Sequence, residues 1–166
     1  MQSLLNIIFP KKFKILVVCT ANVCRSPMAH AILRDIVKKR GLKHKVQIES
    51  AGTHVPTTGL MPDQRAIKVL KEHKINSQQL KTRQLVSNDA ATFDMILVMD
   101  KKNMTEAKKI LSPTCEQLEF VMQYVPNAPT IEVIDPYYGP NSGFQSLYTM
   151  LHTACAGVLF EYEKRL

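Results

Sequence analysis

Two residues in one short loop suggest chemistry. Cys19 closes the apolar run "ILVVC", Arg25 follows six positions later, and Ser26-Pro27 then opens a segment of helical spacing. A loop that enters a helix offers unpaired N–H groups and the positive end of the helix dipole, and so forms an anion site. Pro27 suits the first helical turn because it has no N–H to leave unpaired. A thiol facing such a loop and a guanidinium is expected to ionise below neutrality, with a pKa of about 3.5–7.5, and to act as a nucleophile. Arg25 can grip two oxygens of a tetrahedral oxyanion through its planar fork, and the N–H groups of the loop Thr20, Ala21, Asn22, Val23 and Cys24 can take the others. Phosphate fits that description. The loop lacks a Gly-Lys-Ser/Thr ending, which excludes a nucleotide-binding P-loop. Farther on, Asp135 stands before Pro136 in "DPYYG". Its carboxyl group is either a general acid for a leaving oxygen or a turn aspartate.

These residues need a frame. Residues 14–19 read as a β-branched strand, and residues 27–39 follow with Met28, Ala31, Ile32, Ile36 and Val37 at helical spacing. "VQIESAG" reads as a second strand, residues 63–73 as a helix, and "FDMILVMD" as a third strand whose Asp100 caps a helix over 101–111. "LEFVM" is a candidate fourth strand. A proline-containing loop then leads to a long helix with Phe144, Leu147, Leu151, Cys155, Val158 and Leu159 on one face. The expected fold is α/β: three layers, a four-stranded parallel sheet with helices on both faces, and a phosphate-binding loop after the first strand. In such sheets ligands bind beyond the carboxyl ends of the strands, where Cys19 lies.

The chain has 166 residues, enough for one domain with a real core. We expect residues 14–166 to form that domain and residues 1–13 to be an N-terminal extension. The opening "MQSLLNIIF" lacks the basic start of a signal peptide, and no apolar run reaches the roughly 20 residues of a membrane span. A reducing cytoplasm with four free thiols is expected. The formal charge is +8, with lysines gathered in "KKFK" and "KKRGLKHK". These are either solvated faces or a field for acidic partners. Nucleic acid is the weakest such partner, because no aromatic-interleaved basic stripe accompanies the charge. Leu4, Leu5, Ile7, Ile8 and Phe9 beside "PKKFK" read as a packed or disordered extension, or as a partner or lipid contact.

"VCTANVCRSP", "SAGT", "FDMILVMDKKN" and "DPYYG", in this order and over nearly the whole chain from Lys14, resemble the low-molecular-weight protein tyrosine phosphatase family. The resemblance implies a cysteine-dependent phosphomonoester hydrolase. In it Cys19 is the nucleophile, Arg25 holds the phosphoryl oxygens and Ser26 donates to the thiolate. Asn22 shapes the loop with help from Ser50, Asp135 is the general acid, and Tyr137 and Tyr138 wall the pocket with Pro56. Substrates would be phosphotyrosine proteins or other phosphomonoesters, with inorganic phosphate as product and no metal or other cofactor. The oligomeric state is not indicated.

Three positions depart from the family pattern. Ala21 stands where relatives carry glycine, so the backbone there must avoid positive φ or accept strain. Leu80 stands where relatives often carry a histidine of the loop-supporting network. Pro56 replaces a bulkier residue, which implies a shallower substrate wall. Rival functions are an arsenate reductase, which also needs a closely spaced downstream cysteine pair, and a silent phosphopeptide-binding module, which would lack nucleophile or acid. Cys115 and Cys155 are 40 residues apart. A zinc site fails because Cys19 and Cys24 have no second Cys or His pair. Cys24 is either an apolar filler or a thiol that captures oxidised Cys19.

Overall fold

The structure, a computed structural model, describes residues 11–165. The apolar residues before Lys11 lie outside the described residues. Strand β1 (Phe13–Cys19) is followed by α1 (Arg25–Lys39), β2 (Val46–Gly52), α2 (Gln64–Glu72), α3 (Asp89–Thr92), β3 (Met95–Val98), α4 (Lys101–Ile110), β4 (Leu118–Phe120), a 3₁₀ turn (Val121–Tyr124) and α5 (Ser142–Glu163). The four strands are all parallel, in the order β2-β1-β3-β4. A sheet covered on both faces needs strands apolar on both sides, and residues 15–19 of β1 and all of β3 are buried.

Alternation along β1 divides the core. Ile15, Val17 and Cys19 pack with α1, α2 and α5 on one face, while Leu16 and Val18 pack with Ala107 of α4 and with Phe93 on the other. The three-layer parallel arrangement is therefore as expected. The chain moves from β1 to β2 on one side and then returns past β1 to β3. The crevice at the carboxyl ends of β1 and β3 is thus a topological switch point, where such sheets bind ligands.

Element boundaries differ from the sequence reading for local reasons. β1 takes in Phe13, whose N–H donates to Lys45 O at 2.8 Å. α1 starts at Arg25, two residues before the proline. β3 keeps only four residues of "FDMILVMD". Phe93 ends α3, the Asp94 carboxylate accepts from Lys14 N–H at 2.8 Å, and Asp100 turns to accept from Asn103 N–H at 2.7 Å. "LEFVM" breaks after Phe120, where Val121 and Met122 continue as the 3₁₀ turn. The single turn α3 is held by Asp89, which accepts from Val86 N–H at 3.0 Å. No helix among the described residues is long and apolar enough to cross a membrane.

Candidate active site

The loop between β1 and α1 owes its shape to a few contacts. Asn22 carries the strain: it is buried and sits at φ 58°, while Ala21 stays out of the positive region. The missing glycine at Ala21 therefore costs nothing in backbone strain, because the left-handed turn falls one residue later on an asparagine, which tolerates it. Asn22 Nδ2 donates to Ser26 Oγ at 2.8 Å, and its Oδ1 accepts from the Arg83 N–H at 3.0 Å. Ser26 Oγ lies 3.0 Å from Cys19 Sγ. Asn22 already donates to that oxygen, so the serine hydroxyl proton turns to one of two acceptors, the sulfur or Ala51 O at 3.3 Å. Gly52 of β2 lies hard against the loop: a Cβ there would meet Thr20 O at 2.5 Å and Asn22 N at 3.0 Å. The residues after it pin the loop entrance, since Thr53 and His54 N–H donate to Cys19 O and Thr20 O at 2.9 and 2.8 Å.

Among the described residues, the N–H groups of Ala21, Asn22, Val23 and Cys24 find no acceptor in the protein. They are donors for an anion, reinforced by the dipole of α1. Arg25 supplies the charge. Its buried guanidinium donates through Nη1 to Asp100 at 2.5 Å and to Val133 O at 3.1 Å, and through Nη2 to Asp135 at 2.8 Å. Burial would depress its pKa, but the facing Cys19 sulfur, Asp100 and Asp135 outweigh that effect and raise it. Its Nε is buried without a partner, an arrangement native interiors rarely tolerate unless a ligand or water uses the group.

Cys19, Thr20, Ala21, Val23, Cys24 and Arg25 line a cleft of about 630 Å³. The same cleft takes in Pro56, Asp135, Tyr137 and Tyr138. The two tyrosine rings meet edge to face, 4.8 Å between centroids, and Tyr138 is 97% exposed at the mouth. Asn22, Ser26 and Ser50 lie buried behind the loop. The helping role expected of Ser50 is not seen: its hydroxyl faces His30 Nδ1 at 3.2 Å, and the Arg83 backbone serves Asn22 instead. Leu80 is a buried core residue, which places it outside the loop's hydrogen bonds. Among the described residues, no three His, Cys, Asp or Glu side chains gather as a metal site.

Several site residues have no signal in sequence spacing. Asp100 reads as a helix cap, and it is one, but its other oxygen holds Arg25. Asn103 donates to Thr20 Oγ1 at 3.0 Å from inside α4. Asp63 caps α2 and ties its N–H to Val23 O at 2.8 Å. Arg65 joins that cap to the acid loop, donating to Asp63 and to Tyr137 O. Phosphate loop and acid loop are thus braced through one helix start.

Known proteins resemble this chain in sequence and fold. A low molecular weight phosphotyrosine protein phosphatase of Sus scrofa is 34% identical over 148 residues, covering 87% of this chain and 92% of its own. The crystal structure of YfkJ from Bacillus subtilis superposes with a TM-score of 0.89 at 29% identity, covering 93% of this chain and 97% of that one. A protein tyrosine phosphatase from Entamoeba histolytica, solved with Hepes in its active site, gives 0.84 at 31% identity over 92% and 98% of the two chains. The family model described as low molecular weight phosphotyrosine protein phosphatase matches residues 14–166. On a cysteine, an arginine and a carboxylate gathered in one cleft, and on a match that spans nearly the whole sequence, the chain belongs to the low molecular weight phosphotyrosine protein phosphatase family.

Proposed function

We propose that the chain hydrolyses phosphotyrosine on proteins through a cysteinyl-phosphate intermediate. The observation that carries this reading is the meeting of Cys19 Sγ, the four free loop N–H groups, Arg25 and Asp135 in one cleft. The phosphoryl oxygens take those N–H groups and the Nε–Nη2 edge of Arg25, displacing the Asp135 carboxyl from Nη2. Asp135 is then beside the leaving oxygen. Cys19 attacks phosphorus, the bond to the tyrosyl oxygen breaks, and the proton of Asp135 goes to that oxygen. In the second step ionised Asp135 takes a proton from water, which attacks phosphorus, and phosphate leaves Cys19. Arg25 and the loop amides stabilise the transferring group, so no metal is called for.

Tyr137 and Tyr138 support an aromatic substrate, since two ring faces at the mouth suit a phenyl ester better than a short alkyl one. The relay of an arsenate reductase has no support here. Cys155 is fully buried under α1, with Sγ 3.8 Å from Ala29 O, and Cys115 packs on the other face of the sheet. Burial raises the pKa of both thiols. All four cysteines are free, which suits a reducing cytoplasm.

The test is a steady-state comparison of phosphotyrosine, phosphoserine and phosphothreonine peptides with EDTA present. We expect turnover of phosphotyrosine alone, unaffected by the chelator. Equal turnover of all three would remove the aromatic selectivity, and inactivity with EDTA would remove the metal-free mechanism.

A further inference from the structure

Asp135 has two tasks. In the free protein its carboxylate holds Arg25 Nη2 at 2.8 Å, and in the reaction it lets go and brings a proton within about 2.6–3.2 Å of the leaving oxygen. Little around the carboxyl aims it there. Its side chain is 46% exposed, Ile134 before it is 78% exposed, and the Tyr137 N–H that it accepts at 3.1 Å belongs to its own loop. Such a side chain turns freely, so the place of its backbone decides what it can reach.

That backbone is held on both sides. Downstream, Pro136 is buried and Arg65 donates to Tyr137 O at 3.1 Å. Upstream, the chain lies along residues 99–101, the turn from β3 into α4. Val133 N–H donates to Met99 O at 2.7 Å, Val133 O accepts from Arg25 Nη1 at 3.1 Å, and Glu132 Oε1 accepts from Lys101 N–H at 2.9 Å. Glu132 is itself oriented, since its N–H donates to Thr130 Oγ1 at 3.1 Å. Among the described residues, it is the one side chain between 126 and 134 that hydrogen-bonds to another element.

The start of α4 favours a carboxylate at this place. A helix leaves its first four N–H groups unpaired, and Asp100 serves that of Asn103 but not that of Lys101. The first turn of α4 contains no acid, so Glu132 supplies negative charge to its positive end from 31 positions away. Helix capping alone would accept a carboxylate from any neighbour. This one comes from the acid loop, three positions before Asp135, and it grips the residue next to Asp100, which holds Arg25 at 2.5 Å. Acid and arginine are thereby referred to one turn. We infer that Glu132 is a positioning residue for Asp135, setting where the acid stands once it leaves Arg25, a role that rests on Asp135 being the general acid as proposed above.

The experiment compares kcat/KM for p-nitrophenyl phosphate and phenyl phosphate in the parent, Glu132→Ala, Glu132→Gln and Asp135→Ala. A misplaced acid costs most where the leaving oxygen is most basic, which is the phenyl ester. Glu132→Ala should therefore lose about tenfold on phenyl phosphate, a part of the roughly 10²–10⁴-fold that a positioned acid contributes, and less than about twofold on p-nitrophenyl phosphate. Glu132→Gln should stay near the parent, because an amide oxygen accepts the same N–H. Competitive inhibition by inorganic phosphate, which reads the Cys19 loop and Arg25, should be equal in Glu132→Ala and the parent. Equal losses of Glu132→Ala on the two esters, parental kinetics of that variant, Glu132→Gln as slow as Glu132→Ala, or weakened phosphate inhibition overturns the inference while Asp135→Ala still discriminates between the esters. If Asp135→Ala slows both esters equally, the general-acid reading itself falls, and Glu132 has no acid to position.

Discussion

Arg25 is held by two carboxylates that do different work. Asp100 is fixed by its capping bond and keeps the guanidinium in place, whereas Asp135 is half-exposed on a loop and can exchange its bond for another. Cys24, five positions after Cys19, has its own role. It is 3% exposed, and burial, then Asp63, Asp135 and Cys19, raise its pKa, so it stays a thiol that does not compete with Cys19 for phosphorus. Peroxide oxidises Cys19 to the sulfenic acid, with water as the other product. We expect the Cys24 sulfur then to bond to Cys19, with the hydroxyl leaving as water with the Cys24 proton. After a peroxide pulse, the parent should recover most of its starting activity with dithiothreitol, and Cys24→Ser should recover far less of its own. Equal fractional recovery would return Cys24 to the role of a small apolar filler.

At the scale of elements, the phosphate loop is a product of its neighbours. β2 presses Gly52 against it, α2 bonds Val23 through Asp63, and α4 reaches Thr20 through Asn103. Gly52→Ala should therefore act on catalysis before stability. The added carbon would stand 2.5 Å from Thr20 O and 2.6 Å from Val55 Cγ2, and only the valine can move aside cheaply. The loop must shift, and a displacement of about 1 Å in an active site costs about 10²-fold. We expect a loss of that order in kcat/KM with a folded protein by circular dichroism; a variant at parental activity would show that the loop is not set by β2. Sequence patterns made β1, α1, β2 and α5 legible because apolar runs and helical spacing report burial directly. They could not show α3, a single turn that depends on the Asp89 side chain, nor that the third strand stops at Val98 so that Asp100 can cap α4.

Across the whole molecule, the same contrast separates the proposed catalytic residues from their supports. Cys19, Arg25 and the loop between them were readable because they are local in sequence. Asp100 on Arg25 and Arg83 on Asn22 join residues 75 and 61 positions apart, and no local spacing encodes them. His30 is a further case: in α1 it is partly buried and faces Ser50, and burial first, then Arg34 and Arg83, pushes its pKa down to about 4. That shift reaches global stability. An unfolded histidine titrates near 6.5, so between that value and about 4 the unfolded chain binds a proton that the folded chain refuses. Stability is then full above about pH 6.5 and falls as pH drops through the window, by roughly 2 kcal/mol at pH 5. Asp63, held below the ordinary carboxylate range by Arg65, loses its contribution only at lower pH and does not mask the effect. For a chain of this size, 2 kcal/mol corresponds to about 4–8 °C in melting temperature. His30→Gln keeps a polar partner for Ser50 but cannot titrate, so its melting temperature should change much less than the parent's between pH 7 and pH 5. Parallel profiles for the two proteins would mean that folded His30 accepts its proton without cost, and that its contact with Ser50 opens readily to water.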